Sequence, residues 1–127
     1  MVLEAAGAPL VERELPDPEP GPGQVLIRVQ ACGVCRTDLH IVDGELPVKQ
    51  APRILGHQIV GRDLTDRRFG ATWLAWACGT CEYCTSGREN LCPAARFTGF
   101  DVDGGFAEQV LVDRRFIFPL PETSSAP

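Results

Sequence analysis

No stretch of this sequence is apolar over the ~18 residues that a bilayer crossing needs. Met1-Val2-Leu3 runs straight into Glu4. With neither a basic start nor an apolar run of ~7–15 residues, no secretion signal is read there. Basic residues are scarce: 12 against 17 acidic ones leave a net charge of -5, and only the pairs Arg67-Arg68 and Arg114-Arg115 stand together. Nucleic-acid binding draws on a basic face, so that class is set aside, as is a membrane partner. Heptads and internal repeats are missing too, which excludes coiled coils and solenoids. The expected compartment is the cytoplasm. In that reducing setting the six cysteines read as metal ligands or catalytic thiols before disulfides.

What is present suits one globular domain. The chain has 127 residues, 44% hydrophobic and 23% charged, enough to bury a core. Thirteen glycines and eleven prolines call for many turns and so for a β-rich fold. Residues 9–23 hold five prolines among acidic residues and read as a stiff extended segment. Residues 24–32 are β-branched and alternate at Leu26, Arg28 and Gln30, which predicts a strand ended by Gly33. Arg36 to Val42 lacks Gly and Pro and predicts a short helix capped by Thr37 or Asp38. Asp43-Gly44 marks a turn, and Pro47 and Pro52 punctuate a loop.

Strand pieces are expected at 53–55 and 58–60, around Gly56 and His57. Residues 61–72 are polar without a clear period. A strand resumes over 71–77, and a helical turn is expected within 82–90. Asp103-Gly104, within 101–105, signals a hairpin. Strands follow over 106–112 and 116–118. The domain is expected to span 1–118, with 119–127 a linker or frayed tail.

The densest chemistry is Cys78-x2-Cys81-x2-Cys84-x7-Cys92. The two-residue gaps aim successive sulfurs at one point, and the long gap returns the chain for the fourth corner. That pattern suits a closed tetrahedral zinc site, which stabilises and does not catalyse. Gly79 and Gly87 permit the wrapping. Two disulfides would be the other use of four thiols in an oxidising setting. An iron–sulfur cluster would need different spacings.

A second constellation is weaker residue by residue. Cys35 at a strand end and His57 between two strand pieces are read as meeting in space. A lone Cys is otherwise a small buried hydrophobe, and a lone His a structural residue. Catalytic zinc takes three protein ligands and one open position. Two are named here, with Asp38 placed to orient His57 through its second nitrogen.

Together these motifs resemble the zinc-dependent medium-chain alcohol dehydrogenases. The run Ala31-Cys32-Gly33-Val34-Cys35-Arg36-Thr37-Asp38-Leu39-His40 is similar to their catalytic zinc motif, and Gly56-His57-Gln58 to their Gly-His-Glu. The lobe 78–92 and Gly104-Gly105-Phe106-Ala107-Glu108 resemble that family as well. The resemblance implies a GroES-like fold, a mainly β, partly open barrel with short helices. It implies a catalytic zinc at Cys35 and His57, an alcohol proton taken by Thr37 and passed on by His40, and a cofactor pyrophosphate met by Arg36. Trp73, which otherwise reads as a half-buried strand residue, matches an aromatic lining the alcohol pocket. Trp76 has no such match and reads as packing.

The sequence departs from the family in four places. It contains no Gly-x-Gly-x-x-Gly, so the half that holds NAD or NADP is absent from it. The third catalytic ligand, a cysteine of that half, is absent too, and nothing brings Cys32 to the metal. Residues 61–72 are shorter than the family's segment, whose Gly-Asp-x-Val strand is missing or remodelled. Gln58 stands where the family has Glu. The implied function is the catalytic portion of an NAD(P)-linked zinc alcohol dehydrogenase acting on small alcohols or aldehydes, inactive as these residues alone. The alternative is a non-enzymatic zinc-binding scaffold. A bare cleft face and an open strand edge imply a homo-oligomer.

Overall fold

The computed structural model describes residues 1–46 and 48–122. Seven strands form: β1 (Gln24–Gly33), β2 (Gln58–Arg62), β3 (Arg68–Ala71), β4 (Leu74–Trp76), β5 (Arg96–Phe97), β6 (Gln109–Asp113) and β7 (Ile117–Pro119). Two α-helices accompany them, α1 (Arg36–Val42) and α2 (Glu82–Thr85). Five strands make one antiparallel sheet in the order β6-β1-β2-β3-β7, and β4 and β5 make a separate ribbon. The mainly β architecture with short helices is the one expected. No helix among the described residues is long and apolar enough to cross a membrane.

Alternation in β1 and its neighbours turns Ile27, Ile59, Ala71, Val110 and Val112 to one buried face. Burial of a side chain the size of Ile contributes about 1.5–3 kcal/mol. Ile27 pairs with Val110 across β1–β6, and Ile59 with Ala71 across β2–β3. The β1–β2 register shifts between Val29 and Ala31. Such a bulge bends the strand and re-aims its end, and here that end delivers Gly33 opposite Gln58, next to His57. A second core packs Leu3, Ile41 and Leu55, all fully buried, with Leu46, Phe100 and Phe106 against them.

Five local expectations change. Residues 61–72 do hold a strand: β2 runs to Arg62, the chain turns over 63–67, and β3 returns with Arg62 opposite Arg68. The outer edge of β3 is covered by β7. The predicted strand over 71–77 is broken at Thr72-Trp73 into β3 and β4. Of 53–55 only Arg53 pairs, as a bridge to Leu3. Asp103-Gly104 is no hairpin: the turn lies earlier, with Gly99 at φ 75° and Asp101 accepting the Phe97 N–H. Asp103 instead accepts from Arg53 and from the Ile54 N–H. The strand expected over 116–118 runs instead over Ile117–Pro119, and Glu122 pairs with Arg62 at 2.7 Å beyond it. The expectations at Pro47 and over 123–127 lie outside the described residues.

The 63–67 turn is held by one carboxylate. Asp63 accepts from the Thr65 N–H and hydroxyl, from the Arg67 N–H, and from the Arg67 guanidinium. Burial pushes the Asp63 pKa up, but the hydrogen bonds from Thr65 and Arg67 outweigh it and bring it down to about 2. A carboxylate depressed in the fold stabilises it above its unfolded pKa of about 3.9. That stabilisation is lost as the pH falls through about 2. Asp63→Asn is expected to cost about 1.5–3 kcal/mol at neutral pH and to flatten the stability–pH profile across that window. Urea unfolding at stepped pH reads both effects.

Candidate metal centres

The lobe folds because its backbone has little else to do. Cys81 stands at the N-terminal edge of the single turn of α2, a 3-10 turn follows at Glu89–Leu91, and Gly79 and Gly87 take positive φ at 76° and 74°. Its small core is Ala77, Cys84 and Cys92, with Phe116 against it. The four sulfurs of Cys78, Cys81, Cys84 and Cys92 lie within 4.8 Å of one another. Zinc bound to four thiolates at about 2.3 Å sets its sulfurs about 3.8 Å apart, and Cys78 Sγ lies 3.9 Å from Cys84 Sγ. The donor set therefore fits a closed tetrahedral ion.

The thiols are not equivalent. The Thr80 and Cys81 N–H groups point at Cys78 Sγ. With the Thr80 hydroxyl they bring the Cys78 pKa down to about 6. Burial pushes the Cys84 thiol up to about 12. Hydrogen bonds thus favour the thiolate at one corner, whereas burial disfavours it at another. Metal uptake of this kind releases protons and weakens as the pH falls.

The second cluster joins two chain segments 22 residues apart. Cys35 Sγ and His57 Nε2 come to 3.3 Å, close to the about 3.5 Å that shared tetrahedral coordination sets. Cys35 ends β1's extension and is also the N-cap of α1, where its sulfur accepts the Thr37 N–H at 3.3 Å. The cap is thus Cys35 and not Thr37 or Asp38. Asp38 closes the reciprocal half of the capping box by accepting the Cys35 N–H at 2.9 Å. Its other oxygen accepts the Gly56 N–H at 3.2 Å.

One buried carboxylate, 2% exposed, therefore ties the Cys35 loop to the His57 loop. His57 Nδ1 lies 3.3 Å from the same Asp38 oxygen but out of line, so it makes no hydrogen bond within the described residues. A buried ring nitrogen with a carboxylate in reach is the arrangement that steadies a metal-binding imidazole.

The surrounding residues fall where α1 and the loops put them. Arg36 is exposed on the first turn of α1, and Thr37 and His40 share one helix face at i and i+3. Gln58 is exposed and its side chain sits over Gly33. Cys32 belongs to neither cluster: it packs against Gly56 and Gly105, and burial raises its pKa. Trp73 meets the His57 ring edge-on at 4.9 Å and stacks on Phe97 at 5.0 Å.

A match to the family described as the alcohol dehydrogenase GroES-like domain covers residues 21–122. The chain belongs to that family. This GroES-like domain is 45% identical over 82% of its length to a probable alcohol dehydrogenase, AdhA, of Mycobacterium tuberculosis. An alcohol dehydrogenase of Rhizobium meliloti is 44% identical over 94% of it. In structure it is similar to a Sinorhizobium meliloti 1021 protein described as a zinc-binding dehydrogenase and bound to NADP. The TM-score is 0.88 at 38% identity, covering 98% of this chain. The domain spans 34% and 38% of the two curated relatives and 38% of that solved chain. The Rhizobium alignment runs over 131 positions against 94% of 127 residues. The Rhizobium relative therefore carries residues within the aligned region that this GroES-like domain lacks.

Two contributors escaped the sequence reading, and two more were read there without their partners. Phe97 and Phe100, with ring centroids 5.0 and 6.1 Å from Trp73, extend the aromatic wall beside His57. Gly104 and Gly105 brace the 54–56 loop through N–H bonds to Ile54 and Gly56. Only their motif, not their partners, was visible.

Proposed function

We propose that this chain is the catalytic-domain portion of an NAD(P)-linked zinc alcohol dehydrogenase acting on small alcohols and aldehydes. The observation that carries the reading is the meeting of Cys35 Sγ and His57 Nε2 at 3.3 Å, with Thr37 on the helix turn that Cys35 caps. In this reading Cys78, Cys81, Cys84 and Cys92 hold a structural zinc. Cys35 and His57 supply two ligands of a catalytic one, with Asp38 and Gln58 behind them. Zinc bound there would supply a Lewis acid that acidifies an alcohol hydroxyl. Thr37 would take the alcohol proton, and His40 would pass it on towards solvent. Arg36 offers its guanidinium to the cofactor pyrophosphate. Trp73, with Phe97 and Phe100, shapes an apolar pocket for the alcohol.

Replacing Thr37 with Ala in the full-length enzyme is expected to lower alcohol-dependent reduction of NAD or NADP by ~10²-fold or more while leaving zinc content unchanged. An unaltered rate would sink the reading. The 127 residues alone are expected to hold one zinc tightly and a second weakly, and to reduce neither cofactor. A pyrophosphate is cradled by a glycine-rich turn at a helix N-terminus, and this sequence has no such turn. Metal analysis and a cofactor-saturation assay decide both points. Six free thiols suit a cytoplasmic setting. Val34 and Leu39, 68% and 44% exposed, leave an apolar face beside Cys35 that suits self-association, read by light scattering.

A further inference from the structure

The relay histidine has a partner that neither the motif nor the family match assigns. Helix α1 ends at Asp43, and Gly44, at φ 80°, reverses the chain in the left-handed conformation that favours glycine at a helix C-terminus. The reversal is fixed by the Gly44 N–H to the Ile41 carbonyl at 3.2 Å and the Leu46 N–H to the His40 carbonyl at 3.0 Å. Leu46 is anchored in the core with Ile41 and Leu55. Glu45, held between Gly44 and Leu46, is thereby folded back onto α1, and its carboxylate meets His40 Nδ1. His40 and Glu45 are 38% and 59% exposed, so the pair stands at the boundary with solvent.

We propose that Glu45 is the positioning residue of the relay: its carboxylate fixes His40 as the Nδ1–H tautomer and leaves Nε2 as the proton acceptor. The inference rests on the relay reading of His40 given above. The logic is that of any imidazole whose one nitrogen is pinned by a carboxylate: the other nitrogen's state is set by that bond. A carboxylate cannot donate, so the hydrogen between the two is carried by Nδ1. A proton arriving at Nε2 makes the ring an imidazolium, whose charge Glu45 offsets at contact distance. The proton then leaves from Nε2 to water, and the Nδ1–H bond is never broken. Without Glu45 the neutral ring is free to carry its hydrogen on Nε2, where it blocks the relay.

The chain has two histidines, so nitrogen NMR of histidine-labelled protein resolves His40 from His57 with one reference variant. At alkaline pH His40 is expected to show the Nδ1–H pattern. Glu45→Ala is expected to convert it to a mixture dominated by Nε2–H, and Glu45→Gln, whose amide oxygen still accepts, to retain Nδ1–H. A wild-type His40 already in the Nε2–H form, or a Glu45→Ala spectrum unchanged at His40, overturns the proposal. Backbone amide spectra of the variants establish that they are folded. In the full-length enzyme Glu45→Ala is expected to lower kcat about tenfold with KM within about twofold. A kcat that does not move overturns the relay role even if the tautomer responds. Zinc content is independent of both readouts, so a failure here is separable from a failure of the zinc-dehydrogenase reading.

Discussion

Cys84→Ser is expected to empty the lobe and to produce the largest loss of stability of any single cysteine replacement in the chain. Cys84 is buried at 9% exposure in the lobe's own small core, and its sulfur lies 3.9 Å from Cys78 Sγ. The hydroxyl that replaces it is a poor zinc ligand, shorter in reach and uncharged. Residues 78–92 have few apolar contacts to fall back on, since their core is Ala77, Cys84 and Cys92 with Phe116 at its rim. For a lobe of this kind, metal binding is folding free energy. A loss of at least about 3 kcal/mol, or roughly 10–20 °C in melting temperature, is expected. Zinc analysis and calorimetry read it, and chelation of the wild-type protein should reproduce the shift. Full zinc content in the variant would remove the lobe from the list of metal sites.

Gly104→Ala is the second large effect, and it acts on the other centre. A Cβ built at Gly104 falls 2.1 Å from the Gly56 carbonyl oxygen and 2.7 Å from that of Leu55. Both obstacles are backbone, so neither can swing aside as a side chain would. The same residue donates its N–H to the Ile54 carbonyl at 2.8 Å, and that bond is stretched when the segments part. Overpacking of this sort costs about 1–3 kcal/mol and at times more; with a backbone bond lost as well, the upper end is expected. The 54–56 loop also carries His57. The variant is therefore expected to lose affinity for a metal at Cys35 and His57 while the cysteine lobe keeps its own. Urea unfolding and cobalt titration separate the two effects, and a variant with wild-type stability would mean that the loop has room that the structure denies it.

The parts legible in the sequence are those whose cause is local. β1 shows itself through alternation and branching. The lobe shows itself through thiol spacing, and α1 through a run without Gly or Pro. The proximity of Cys35 and His57 followed from reading one at a strand end and the other between two strand pieces. What stayed hidden depends on partners far away in the chain. Asp63 looks like one more acid in a polar stretch until Thr65 and Arg67 close around it. Trp73 breaks a strand because it turns toward His57, Phe97 and Phe100, none of which is its neighbour in sequence. Gly104 reads as hairpin punctuation, yet its small size serves the approach of the 54–56 loop. Cys35 as a helix cap went unseen because sulfur seldom fills that role, and Glu45 because only the reversal at Gly44 brings it back over α1.

The 63–67 turn also determines where this domain can change length. Side chains along a strand alternate faces with a period of two, so removing one residue from one arm of a hairpin flips everything beyond it. Removing residues from the tip leaves both arms in phase. Ile59 still faces Ala71, and Gly61 still faces Phe69, although the segment between them is short. Length at this tip is therefore decoupled from the register of the strands behind it. The Asp63 carboxylate closes this tip over a fixed span, because its partners Thr65 and Arg67 stand two and four residues on. Residues inserted between Leu64 and Thr65 would add loop-closure entropy, which grows only slowly with length, together with the loss of the bonds from Thr65 to Asp63.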